Sequence, residues 1–207
     1  PLPVVYDFAP CFDAMVGGIP NLVSYYFDTD EKIRLQTKLK ELFPEALVLP
    51  GVFPDFGVVA EVSAFGGQML WSARNAPYNH PCLRDLKDVD TLKIPEPGTT
   101  GLTAPMLAQK KLMRKKMADR GLELERWTLT MGPAEIAGLL LGYDKFYMGL
   151  YDDPKRLGKL MEMAAEFVIG WIRAQGEVTG GNDLIMVADH VCSQVQPAHL
   201  REFIQPL

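Results

Sequence analysis

The sequence lacks the features that would place a chain in a membrane, outside the cell or on nucleic acid. It has no run of about 18 apolar residues, the length a bilayer-crossing helix needs, and no charged-then-apolar leader at its start. These absences predict a cytoplasmic location and no membrane partner. Cysteine is scarce: Cys11, Cys82 and Cys192 are odd in number and widely separated, a poor disulfide framework that suits a reducing compartment. No stripe of Lys and Arg interleaved with aromatics occurs and the net charge is −5, which argues against nucleic acid as a partner. The exception is Lys110-Lys111-Leu112-Met113-Arg114-Lys115-Lys116. On a helix, Leu107, Leu112 and Met113 can pack inward while the charges fan out to solvent.

What is present is the balance of a globular chain, 48% hydrophobic and 23% charged over 207 residues, enough for one domain with a sizeable core. Short apolar runs alternate with helical periodicity. Leu2 to Phe8 reads as a strand, and Asp28 with Glu31 has capping-box spacing ahead of Ile33, Leu35, Leu39 and Leu42. Ala46 to Leu49 reads as a second, buried strand. Residues 52–97 are irregular, with a short strand near Met69-Leu70-Trp71, and loops of that length are more often functional than accidental.

A helix from about Leu102 to Arg120 precedes a strand from Arg126 to Met131. Gly132-Pro133 then stops the ladder and starts a helix, proline being suited to a first turn whose N–H groups lack partners. Asp153-Pro154 opens a long helix with Leu157, Leu160, Met161, Ala164, Phe167, Val168 and Trp171 on one stripe, a core face. Asp183 to Asp189 is the clearest strand, and its lack of polar alternation predicts cover on both faces. Pro197 starts a last helix. Strand and helix in alternation are the α/β pattern.

Particular stretches resemble the uroporphyrinogen decarboxylase superfamily. Gly132-Pro133-Ala134-Glu135-Ile136-Ala137-Gly138, then Gly142-Tyr143-Asp144-Lys145-Phe146 and Leu150-Tyr151-Asp152-Asp153-Pro154, are similar to its central segment. Asp189 through Ser193, then Gln196 through Pro206, is similar to its pattern of a strand-end Asp, a short loop and a helix. Asp88-Val89-Asp90 with Leu92, Ile94 and Pro95 resembles its linker. The resemblance implies a (β/α)8 TIM barrel, here one partial domain over residues 1–207, since about 250 residues are typical of that fold.

The superfamily holds decarboxylases and also methyltransferases that move methyl groups between corrinoid proteins and acceptors such as thiols. The decarboxylases carry an arginine-containing segment after the first strand to hold substrate carboxylates. Here Phe8-Ala9-Pro10-Cys11-Phe12-Asp13-Ala14 stands in that place and no arginine precedes Arg34. That departure favours a methyltransferase moving a methyl group between a small methylated compound or methylcorrinoid and a thiol or folate. Its implied partners are a small-molecule substrate and a corrinoid protein, with a homodimer allowed. The alternatives are decarboxylation of a porphyrinogen, which needs no cofactor, and a non-catalytic relative that binds a small molecule.

In a barrel the chemistry sits where strands end at their carboxyl side. Asp7, Glu135 and Asp189 are the catalytic candidates there, with Tyr6, Met131 and Ser193 as substrate-binding candidates. A carboxylate closing an apolar strand must be solvated or paired, and Asp189 can serve as an acid/base or anchor, or simply cap nearby backbone N–H groups. His190 and Cys192 form a His-x-Cys pair, half of a zinc site, and Cys11, Glu61, His80 or Glu135 is the candidate third ligand. A non-catalytic relative would instead bury Asp189 in pairing and turn His190 and Cys192 apart.

Overall fold

The computed structural model describes residues 2–207. Its frame is two pairs of parallel strands. β1 (Val4–Tyr6) runs beside β2 (Leu47–Leu49) with Val5 opposite Val48. Parallel strands need a long crossover, and here it is α1 (Leu22–Phe27) with α2 (Thr29–Leu42). β2 is followed by α3 (Ala60–Ala64), the antiparallel hairpin of β3 (Gln68–Leu70) and β4 (Tyr78–His80), and α4 (Thr103–Asp119). β5 (Trp127–Met131) then pairs with β6 (Leu184–Ala188), Leu129 lying opposite Met186, and the connection is α5 (Pro133–Leu141), α6 (Tyr143–Asp152) and α7 (Pro154–Thr179). α8 (Pro197–His199) runs on into a π turn over Leu200–Ile204. The described strands form an open part of a (β/α) barrel.

The local signals act as the residue types require. Asp28 caps α2 by accepting from the N–H groups of Asp30 and Glu31. The box is not reciprocal, because Glu31 instead grips Arg34 at 2.8 Å. Pro154 opens α7 under an Asp153 cap, and Gly180 ends it in the left-handed region at φ 79°. The predicted α7 stripe is the core face: Leu157, Leu160, Met161, Ala164, Phe167 and Trp171 are all fully buried against α5, α6 and α4.

Two expectations are corrected. Lys110 does not reach solvent but is buried, its ammonium donating to the Trp127 carbonyl at 3.0 Å, so it ties α4 to the start of β5, while Leu112 is exposed. Long aliphatic stems let a lysine follow an apolar surface to a distant acceptor. β6 is not covered on both faces: Ile185 and Val187, alternate residues that share one face, are about half exposed. Residues 52–97 are mainly loop, as the sequence predicts, with β3 at the expected short strand; they also hold α3, β4 and 3-10 turns at Gly57–Val59 and Leu86–Asp90. No helix among the described residues is long and apolar enough to cross a membrane.

Lys32 is the most unusual interior residue. It is 0% exposed, and its Nζ donates to the Tyr26 carbonyl (2.8 Å), the Asp55 carbonyl (2.5 Å) and Gln109 Oε1 (2.5 Å), which joins α1, α4 and the segment after β2. Burial lowers its pKa to about 7 from the ordinary lysine value. Unfolded, the amine holds its proton to about pH 10.4, so between the two values the unfolded state binds more protons and stability rises with pH. Urea denaturation at pH 7 to 10 should show wild type gaining on Lys32→Met across this window. A difference that stays flat with pH would refute the buried, deprotonating amine.

Candidate active site

The ends of β5 and β6 are joined by a carboxylate crossing from one strand to the helix that follows the other. Asp189 Oδ2 accepts from the backbone N–H of Ala134 (3.0 Å) and Glu135 (3.3 Å), the first turn of α5. These N–H groups have no partner within the helix, and the helix dipole favours an anion there. Gly132 makes the approach feasible: a Cβ on it would fall 2.3 Å from Asp189 Oδ2 and 2.4 Å from Asp189 Cβ. Asp189 Oδ1 is buried without a hydrogen-bond partner. Burial raises the Asp189 pKa, against the pull of the Glu135 and Ala134 N–H groups.

Beside it lies Glu135, almost wholly buried. Its Oε1 accepts from the Tyr143 hydroxyl and its Oε2 accepts from the His190 backbone N–H at 3.1 Å, with His190 Nδ1 3.5 Å away. Burial and this carboxylate push the Tyr143 hydroxyl far above its usual pKa. The two acids thus hold the loop after β6 against α5. Cys192 is on the Asp189 side of this loop, and burial, then the Asp189 charge, raises its thiol pKa.

A cavity of about 310 Å³ opens at these strand ends, within the size range of small-molecule sites. Of the predicted residues, Tyr6, Met131 and His190 line it; Glu61, named only as a third zinc ligand, lines it too, as does Cys11. Asp7, Glu135, Asp189, Cys192 and Ser193 do not. Asp7 closes a turn onto the Phe8 N–H (2.7 Å), and the Ser193 hydroxyl donates to the His190 carbonyl (2.9 Å) within its own 3-10 turn. A hollow of about 820 Å³ at the start of α7 is lined by ion-paired Asp90, Asp153 and Arg156 and by no strand-end residue.

Sequence reasoning missed Asp55. It is buried in the cavity wall, accepting from the Tyr25 hydroxyl at 2.9 Å and the Gly57 N–H at 2.7 Å. It also underrated Glu61, whose Oε1 accepts from the Thr130 hydroxyl (3.0 Å) and the Met131 N–H (3.2 Å), and whose pKa is raised by burial. A signal existed for both. Each is a lone acid in an otherwise apolar run, Val52-Phe53-Pro54-Asp55-Phe56 and Val58-Val59-Ala60-Glu61-Val62, and an acid so placed must be paired or functional.

The zinc expectation meets a poor donor set. Among the described residues no group of three or more His, Cys, Asp and Glu is arranged to hold a metal. His190 turns to Glu135 and Cys192 to Asp189, and a raised thiol pKa disfavours the thiolate that zinc requires. His80 lies on β4, outside the cavity.

Parallel strands with helical crossovers and an acid-bearing cavity at their carboxyl ends are the arrangement of a (β/α) barrel with a ligand-sized site at the strand ends. The chain belongs to the uroporphyrinogen decarboxylase (URO-D) family, whose pattern matches residues 21–207. No curated protein matches it significantly in sequence. Among solved structures, a methyltransferase from Methanosarcina mazei superposes with a TM-score of 0.74 at 20% identity, covering 98% of this chain and 58% of that one. The chain therefore spans well under two thirds of that structure's length, and the likeness is one of fold.

Two outcomes follow. Gly132→Ala should expel Asp189 and uncap α5, costing about 1–3 kcal/mol in urea denaturation, and an unchanged midpoint would refute the packing. With Cys11 and Cys82 replaced by serine, Cys192 should react with iodoacetamide at pH 7.5 more slowly than free cysteine; faster reaction would contradict its raised pKa.

Proposed function

We propose that the chain serves methyl transfer between a small methylated compound and an acceptor, with a corrinoid carried by a partner protein. The observation that carries this reading is the cavity wall. None of its lining residues is Lys or Arg, while Asp55 and Glu61 both are part of it. A porphyrinogen bearing several carboxylates would need cationic, preferably bidentate partners, and would meet two buried acids instead. The family and the fold-level likeness to a methyltransferase support the same choice.

In this reading the corrinoid supplies the methyl carrier when the partner docks. The chain's part is to bind and orient the methyl compound and to exclude water around it, which speeds transfer by holding the reacting atoms close. Tyr6, Phe8, Phe53, Met106 and Met131 supply the apolar enclosure. His190, at the rim and backed by Glu135, is the group placed to take or give a proton on the leaving or accepting heteroatom. Among the described residues the donor set does not fit zinc.

A second reading keeps the cavity without turnover. The pairing of Asp189 with α5 and the separate partners of His190 and Cys192 are what a non-catalytic relative would show. One assay separates the readings. Full-length protein incubated with cob(I)alamin and a panel of methyl ethers, thioethers and methylated amines should form methylcobalamin. His190→Ala should lower the rate about 100-fold, the ordinary scale of a lost acid/base group. Turnover of uroporphyrinogen would overturn the proposal, and saturable binding with no methyl exchange would favour the second reading.

A further inference from the structure

From the aromatic and acidic wall of the strand-end cavity we infer that its occupant is a methylated ammonium cation, the choline-like class, rather than a neutral methyl ether or thioether. The inference rests on the methyl-transfer reading for why such a cation enters, and on the wall alone for its binding.

The wall has the parts that recognise a quaternary ammonium. Tyr6 meets Phe8 edge to face, with ring centroids 5.9 Å apart and planes at 75°, and Phe8 meets Phe53 in the same way at 5.9 Å and 64°. Successive rings turned across one another present faces in several directions around one space, as an aromatic cage requires, and a cation within about 6 Å of such faces is attracted by the ring quadrupoles. Phe56 already has a nitrogen over its ring, Lys32 Nζ at 4.4 Å from the centroid.

Charge completes the argument. Glu61 is 3% exposed and lines the cavity; the Thr130 hydroxyl and the Met131 N–H both donate to Oε1, and the buried Trp171 indole N–H beside the carboxylate forms no hydrogen bond of good geometry, so Oε2 has no bonded donor. A buried carboxylate with an oxygen to spare gains a counter-ion when an ammonium enters, whereas a neutral ether would leave it unpaired. Asp55 is the second acid of the wall. An anionic ligand would have to displace this pairing pattern with no cation among the lining residues to receive it.

The surrounding titrations all favour the cation as pH rises. Lys32 gives up its charge near pH 7, and Glu61, its pKa raised by burial, takes up its own. Tyr25, Tyr26 and Cys11 are held neutral through the range by burial. Asp55 is the remaining carboxylate facing the space.

The test uses the full-length protein, with choline as probe and 3,3-dimethylbutan-1-ol as its neutral isostere, read by calorimetry or ligand-observed NMR. Choline should bind about tenfold or more tightly than the isostere, and more tightly at pH 8 than at pH 6. Glu61→Gln keeps an oxygen for the Thr130 and Met131 bonds while removing the charge, and should erase most of that preference. Tyr6→Leu, at a position 55% exposed and so tolerant of change, should weaken choline several-fold with an unchanged melt. Equal binding of the isostere, or unaltered choline binding in a folded Glu61→Gln variant, would overturn the inference. Methyl transfer from a neutral ether without choline binding would sink this inference and leave methyl transfer standing. Choline binding that depends on Glu61, with no methyl exchange, would do the reverse.

Discussion

The contact on which the site's geometry depends is the Asp189 carboxylate lying across Gly132 onto the first N–H groups of α5. It joins the end of β6 to the helix that follows β5, beside the strand ends from which the cavity opens. The cost is a carboxylate with one buried, unpartnered oxygen, offset by two charge-assisted bonds and a helix dipole. A residue without a side chain is required at 132, at an ordinary φ of −75°, because the constraint is steric and not conformational. Glu135, fixed on the same first turn, then holds the His190 loop, so the histidine's place at the rim is a consequence of the cap.

On the opposite wall a buried amine does comparable work. Lys32 gathers the carbonyls of Tyr26 and Asp55 and the amide of Gln109, which places Asp55 and Phe56 at the cavity edge. Three neutral oxygens satisfy its donors but do not replace the water lost, and the depressed pKa follows. The cavity is thus walled by acids and rings, with its nearest cation behind Phe56 and able to shed its charge. This balance suits a neutral or positive ligand far better than a polyanion.

Much of the frame was legible in the residue pattern. β1, β2, β5 and β6, the α7 stripe, the Gly132-Pro133 corner and the Asp28 and Asp153 caps all lie where period and capping chemistry put them. The failures have physical causes. Lys110 looks like a surface charge because periodicity records only which face a residue lies on, not whether a distant carbonyl waits for a long stem. Ile185 and Val187 look fully covered because an apolar strand reads alike whether or not a neighbour packs on it. Among the candidate site residues, Tyr6, Met131 and His190 line the cavity, while Asp7, Glu135, Asp189 and Ser193 serve as local or supporting contacts.

By itself the sequence determined the alternation of strand and helix, the family likeness and the scarcity of cations near the first strand, since all three are written in local composition and order. Only the tertiary structure decided which acids face a ligand. Asp189 and Glu61 are both single carboxylates beside apolar residues, indistinguishable along the chain. One finds a helix N-terminus across Gly132 and is consumed by it. The other is held by Thr130 and Met131 through a single oxygen at the edge of a cavity, because partners supplied by distant segments, and not the acid itself, determine where its charge is used.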